Sequence, residues 1–135
     1  GNFYYKITNA SEKTGTAALV KPLKNTLTKV TIPDTVKIKN ITYKITEISG
    51  SAFKNNKKLK TVTIGKNVKK IGSNAFNGAK VLKNISITTK GLKSVGSNAL
   101  KGIHKNASIK VPSSKRKQYK TLLGKKGQLS TVVIK

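Results

Sequence analysis

The sequence predicts a solenoid: one coil of short β-strands and turns, with a β-hairpin cap at its N-terminal end and a short helix plus a strand as its C-terminal cap. Three observations point there. Aligning Ile48, Ile71 and Val95 brings three near-copies into register, each continuing with small or polar residues (SGS, GSN, GSN). Ala52-Phe53, Ala75-Phe76 and Ala99-Leu100 follow, and then the pairs Val62/Ile64, Ile85/Ile87 and Ile109/Val111. The offsets are 23 and then 24 residues, the additional one falling within TTKGL at 88–92. Second, the pattern L-x-x-[VI]-x-[VI] starts at Leu27, Leu59, Leu82 and Leu129, with Asn106 standing for Leu in one degenerate copy. These starts are spaced by 32, 23, 24 and 23 residues. Third, Val and Ile together outnumber Leu, which favours strands.

The elements follow in chain order. Residues 1–26 form the N-terminal cap: FYYKITNASEKTGTAALV at 3–20 reads as two strands around a Ser-Glu-Lys-Thr-Gly turn. Residues 27–112 hold the rungs. The long first interval contains VKIKNITYKITEI, whose alternation on either side of Lys39-Asn40 predicts a hairpin insertion over about 36–48. In each V-x-I stretch the two apolar residues point inward and the residue between them points out. The V-x-x-I-G stretches (Val68 to Gly72, Leu92 to Gly96) predict a second strand on another side of the coil, with Gly72 and Gly96 permitting a tight turn. Ala52, Ala75 and Ala99 suit the narrow part of the coil, while Phe53, Phe76 and Leu100 fill its centre. A single rung cannot bury its apolar face, but stacked rungs share one core. Residues 113–135 form the C-terminal cap. A serine N-cap at Ser113-Ser114, apolar Tyr119, Leu122 and Leu123, and Gly124 predict a short helix. Leu129–Ile134 would be the closing strand, and such a cap suggests that the array ends there.

The period lies within the range of leucine-rich repeats. The signature [IV]-G-x-x-A-F-x-x-x-x-x-L-x-x-[VI]-x-[IV], seen as IGSNAFNGAKVLKNISI, resembles the BspA-like leucine-rich repeat family, and VTIPDTV at 30–36 resembles its strand-to-turn consensus. The resemblance covers about residues 27–112. The third copy departs from it at Leu100 and Asn106, and the Cys that members carry near the position of Ala79 is missing. It implies a secreted or surface-attached bacterial protein, often an adhesin or a module of a larger surface protein, and no catalysis. Function is carried here by analogy, because a fold does not fix it.

Composition narrows the chemistry. The 135 residues include no Cys and no Met, which excludes a disulfide framework and a thiolate metal site. No stretch approaches the ~20 apolar residues of a membrane span, and no leader is visible, so the chain reads as a piece of a larger protein. Only Glu12, Asp34 and Glu47 are acidic, far apart in sequence and explicable as turn or loop residues. His104 is the only histidine, stands at the repeat position of Lys57 and Lys80, and lacks the partners of a metal or triad site. The sequence therefore calls for no enzyme activity, no cofactor and no metal. The Asn-x-Ser/Thr triplets at Asn9, Asn40, Asn84 and Asn106 are read as coincidental in so Thr/Ser/Asn-rich a chain.

The remaining signal is charge. Against three acids stand 29 basic residues, all lysine except Arg116. Lys57 and Lys80 share one repeat position, Lys60 and Lys83 another, Lys69 and Lys93 a third. Stacked at ~4.8 Å, such lysines form ladders whose neighbours repel by up to ~0.8 kcal/mol in water. Two readings stand side by side: a solvated, aggregation-resistant surface, or adhesion to anionic polymers such as acidic glycans. Nucleic acid is disfavoured, because arginine is nearly absent and no aromatic interleaves with the basic positions. For a protein partner the candidate face is Thr61, Thr63, Asn84, Ser86, Ser108 and Lys110. The expectation is a non-catalytic binding, adhesion or spacer module outside the cell. The alternatives are an accessory module of a larger surface enzyme and a nucleic-acid-binding basic domain.

Overall fold

The computed structural model describes residues 2–10 and 14–135. The first two strands, β1 (Phe3–Asn9) and β2 (Thr14–Pro22), pair antiparallel. The turn expected between them, with Glu12, lies outside the described residues. Next come β3 (Lys29–Thr31) and the hairpin of β4 (Thr35–Ile38) and β5 (Ile41–Ile48). Lys39 and Asn40 both have positive φ, 49° and 67°, the two-residue turn that matches strand twist. The repeating rungs then lay down short strands in alternation: β6 (Thr61–Ile64), β7 (Lys70–Ile71), β8 (Asn84–Ile87), β9 (Ser94–Val95) and β10 (Ser108–Lys110). A 3₁₀ turn at Ser113–Lys115 leads into helix α1 (Arg116–Leu123), and β11 (Val133–Ile134) closes the order.

Two sheets flank the core. One is wholly parallel, in the order β11-β10-β8-β6-β3. The other runs β1-β2-β5-β7-β9, with β4 on the edge of β5. Its β2, β5, β7 and β9 are parallel, so the hairpin insertion merges into the stack. The molecule is therefore a β-solenoid of leucine-rich-repeat type, as the periodicity predicts. Val62, Ile64, Ile85, Ile87, Ile109 and Val111 face Ile45, Ile48, Ile71 and Val95 across a buried interior. Phe53 and Phe76 stack at 5.3 Å with rings 5° from parallel, and Phe3 of β1 closes the column edge-on at 6.4 Å from Phe53.

The turns stack as regularly as the strands. Phe53 N–H donates to Ala75 O and Phe76 N–H to Ala99 O; Asn55 donates to Asn77 and Gly78 to Lys101 in the same way. Two turn positions in each rung are left-handed: Ser51, Asn74 and Asn98 at one, Asn55, Gly78 and Gly102 at the other. Asn and Gly are the residues that adopt this conformation at least cost.

The structure corrects three local expectations. Gly72 and Gly96 do not have positive φ; they are glycine because the neighbouring turn lies against them. A Cβ at Gly72 would come within 2.7 Å of Gly50 Cα, and one at Gly96 within 2.6 Å of Ser73 Cα. No serine side chain caps α1. Its N-cap is Lys115, without a side-chain hydrogen bond, because the 3₁₀ turn takes up the serines. Gly124 does end the helix, as predicted, in an extended conformation. Leu129 does not repeat the fully buried Leu59 and Leu82: it is 61% exposed, on the outermost turn with a rung on one side only. In the degenerate copy Asn106 is exposed too, and Ile103, in the column of Ala79, is buried and restores part of the missing volume.

Candidate binding surfaces

The two described acids serve the stack. Asp34 Oδ1 accepts from Lys66 N–H at 2.9 Å, and its backbone carbonyl accepts from Asn67 Nδ2 at 2.9 Å and Ile45 N–H at 3.0 Å. Its carboxylate also faces Lys66 Nζ at 3.8 Å, and Glu47 faces Lys70 Nζ at 3.7 Å on the neighbouring rung. Both pairs are substantially exposed and contribute little to stability. His104 is half-buried rather than fully solvated, and its Nδ1 accepts from Asn106 N–H at 3.0 Å. That bond holds the turn where the leucine is missing.

The outer face of the five-stranded sheet carries the predicted strand residues in two straight rows. Thr61, Asn84 and Ser108 align in register, flanked by Lys29 and Val133. Thr63, Ser86 and Lys110 form the second row, continued by Thr31. Asn84 and Lys110 are exposed and the other four half-buried, so the face offers hydroxyls and an amide on a flat, rigid frame.

The six ladder lysines do not form one patch. All are exposed. Lys83 N–H donates to Lys60 O at 3.0 Å, which fixes that pair as neighbours where the turn enters the five-stranded sheet; Lys57 and Lys80 sit in the same turns. Lys93 N–H donates to Lys69 O at 2.8 Å, but this pair lies across the coil, where the link enters the other sheet. Periodicity identifies which lysines stack, whereas their distribution over two corners follows from the path of the coil.

Two open depressions were not foreseen. One, at the end of β10, is lined by Lys110, Val111, Pro112, Ser113, Arg116 and Lys135. The other lies beside Lys69 and is lined in part by Thr16 and Lys44, which belong to the cap hairpin and the insertion. Neither segment repeats, so no periodic signal could have placed them together.

A family profile for the BspA type leucine-rich repeat region matches residues 24–135 in six copies. The chain belongs to this family. The BspA-type match extends through α1 and β11, and counts one copy more than the five motif starts. Among solved structures, a leucine-rich cell surface protein from Faecalibacterium prausnitzii is similar at 23% identity with a TM-score of 0.62, over 81% of this chain and 35% of that one. A leucine-rich repeat protein from Bacteroides capillosus has 20% identity and a TM-score of 0.68, over 97% and 94%. The T. pallidum leucine-rich repeat protein has 16% identity and a TM-score of 0.55, over 82% and 69%. At these identities the likeness concerns the fold. This chain spans about a third of the length of the F. prausnitzii protein. No curated protein matches the sequence. Among the described residues, no helix is long and apolar enough to cross a membrane.

Proposed function

We propose that this BspA-type repeat acts as a non-catalytic binding or spacer module of a secreted or surface-attached bacterial protein, and that it holds anionic polymers through its lysine columns. The observation that carries this reading is the registered stacking of exposed lysines on a rigid backbone with almost no acid nearby: Lys60 on Lys83 and Lys69 on Lys93, joined rung to rung. Such columns create a strong positive field at fixed spacing, which attracts polyanions and raises their local concentration. The cell-surface description of the F. prausnitzii neighbour supports the setting. Sequence periodicity and packing account for the apolar positions, so the outward positions are the ones free to take a ligand.

Retention on heparin, on DNA and on a purified anionic wall polymer across a salt series tests this. Salt-sensitive retention on the wall polymer or heparin, exceeding that on DNA, is expected. Absence of salt-sensitive retention on all three refutes it. The flat Thr/Ser/Asn rows favour a second reading, a protein partner on the five-stranded face. A Thr63→Arg and Ser86→Arg double variant that leaves binding to a host or bacterial surface protein unchanged would count against that.

A further inference from the structure

The depression beside Lys69 is a groove of about 260 Å³ that crosses four successive layers of the solenoid. Thr16 of β2 pairs in register with Lys44 of β5; Asn67 and then Gly91 follow on the next two rungs at the same coil position. At ~4.8 Å per layer the row extends for ~14 Å along the stacking axis. Lys44, Lys66 and Lys69 surround it, with Thr46 and Thr89 completing the walls.

Its hydrogen-bonding capacity can be counted. Thr89 is fully buried and committed: its hydroxyl donates to Val68 O at 2.8 Å and accepts from Gly91 N–H at 3.1 Å. Asn67 spends one amide hydrogen on Asp34 O at 2.9 Å, and a primary amide has two. Thr16 Oγ1 lies 2.7 Å from Thr8 Oγ1, so this hydroxyl pair can turn one hydrogen outward. Thr46 is half-buried on the groove wall. Lys66 is loosely paired with Asp34, whereas Lys44 and Lys69 have no acidic partner among the described residues. Gly91 leaves the far end bare: a Cβ there would meet only Thr89 Oγ1, at an ordinary 3.8 Å.

We propose that this groove binds a tetrahedral ester anion, a sulfate or phosphate group carried on a linear polymer, and thereby gives the polyanion surface a defined seat. The proposal rests on the polyanion reading and sharpens it. Point-charge ammoniums and hydroxyl donors arriving from several sides suit a compact anion with three free oxygens, whereas a planar carboxylate is best matched by a guanidinium fork, and the groove has none. A base-bearing polymer is disfavoured, since no aromatic lines the groove. Tyr43 is buried, and exposed Tyr4 lies on β1 beneath Lys21. The open row lets a chain run along the axis and place further anionic groups near Lys93.

Gly91 supplies the test, because a side chain there enters the groove without straining the backbone. Binding of heparin, of dextran carrying phosphate monoesters, of single-stranded DNA and of uncharged dextran would be measured across a salt series for wild type, Gly91→Glu, the Lys44→Ala/Lys69→Ala pair and the Lys60→Ala/Lys83→Ala pair. The sulfate and phosphate arms show which ester is preferred. Gly91→Glu is expected to weaken binding about tenfold or more, and the Lys44/Lys69 pair to lower the salt slope by about one per lysine. The Lys60/Lys83 pair, which supplies field at the other corner of the coil, should lower affinity less than the Lys44/Lys69 pair and leave the preference between sulfate and phosphate unchanged. Circular dichroism and melting of Gly91→Glu should match wild type. If wild type binds polyanions but Gly91→Glu binds equally well, or the two lysine pairs lose affinity equally, the groove is not the seat although the broader reading survives. Preferred binding of DNA would overturn the proposed ligand class. Failure of wild type to bind any of the charged polymers removes both.

Discussion

Phe76→Ala probes the centre of the stack. Phe76 is fully buried, and its ring lies face to face with Phe53 at 5.3 Å. A buried phenylalanine removes ~150–250 Å² from water, and truncation to Ala forfeits on the order of 100 Å² of that. At ~25 cal/mol per Å² the transfer loss is about 2.5 kcal/mol. Losing the aromatic pair adds about 1 kcal/mol, giving about 3.5 kcal/mol before any cavity term, within the ~3–5 kcal/mol seen for such truncations. Because rungs above and below are hydrogen-bonded through Phe53 N–H to Ala75 O and Phe76 N–H to Ala99 O, the turn cannot collapse onto the cavity without breaking its ladder. Phe76→Leu is the contrast: Leu100 already occupies this column one rung on, so its cost should stay near 1–2 kcal/mol. Urea unfolding followed by far-ultraviolet circular dichroism measures both. A fall in the slope for Phe76→Ala, with a second transition, would show the stack separating at that rung. A loss below about 1 kcal/mol for Phe76→Ala would refute the assignment of this column as the core.

Other substitutions address the remaining columns and the helix. Tyr119→Phe should destabilise by about 2–3 kcal/mol, because the buried hydroxyl donates to Thr89 O at 2.8 Å and accepts from Leu92 N–H at 3.1 Å. Burial raises the Tyr119 phenol above its ordinary value, although the Leu92 bond opposes this. Its stabilisation is thus complete below pH ~10 and fades as pH rises towards the folded-state value, so the gap between wild type and Tyr119→Phe in thermal melts should narrow above pH ~10. Asn56 is buried in the column of Ala79 and Ile103 with neither amide atom bonded, so Asn56→Ala should raise stability by about 1 kcal/mol; a lower midpoint would mean that its amide is satisfied. Gly72→Ala should cost more than about 2 kcal/mol in the same melts, since its Cβ would meet the backbone of Ser49 and Gly50; an unchanged midpoint would refute close packing of the turns.

Periodicity made the fold legible because every apolar column repeats. Val62/Ile64, Ile85/Ile87 and Ile109/Val111 face inward as their spacing requires, and the Lys39-Asn40 turn is readable from its own dipeptide. Other signals were present but carried a different meaning. The Ser51/Asn74/Asn98 and Asn55/Gly78/Gly102 columns mark left-handed residues, whereas Gly72 and Gly96 mark close approach. A leucine pattern alone cannot report whether a neighbouring rung covers it, and hence Leu129 is exposed where Leu59 and Leu82 are buried. The registered strand face was legible for the same reason as the core: both follow a period of two.

The groove illustrates why function in such a stack escapes a search by repeat. Each rung offers inward positions that neighbours must share, and these constrain the sequence column by column. Outward positions carry no such requirement, so a site arises where dissimilar residues meet in one column. Thr16, Lys44, Asn67 and Gly91 share a coil position yet differ in size, charge and hydrogen-bonding groups, which is what a shaped seat needs and what a repeat signature averages away. The uniform column Lys60/Lys83 supplies field without shape, whereas Lys69 of the Lys69/Lys93 column also forms a wall of the groove. Field draws a polyanion in from a distance and weakens with salt, whereas a seat selects one anionic group at close range. On the proposed reading, a surface of lysine columns that includes this mixed groove separates attraction from recognition, and the two can be altered independently: attraction at Lys60 and Lys83, recognition at Gly91.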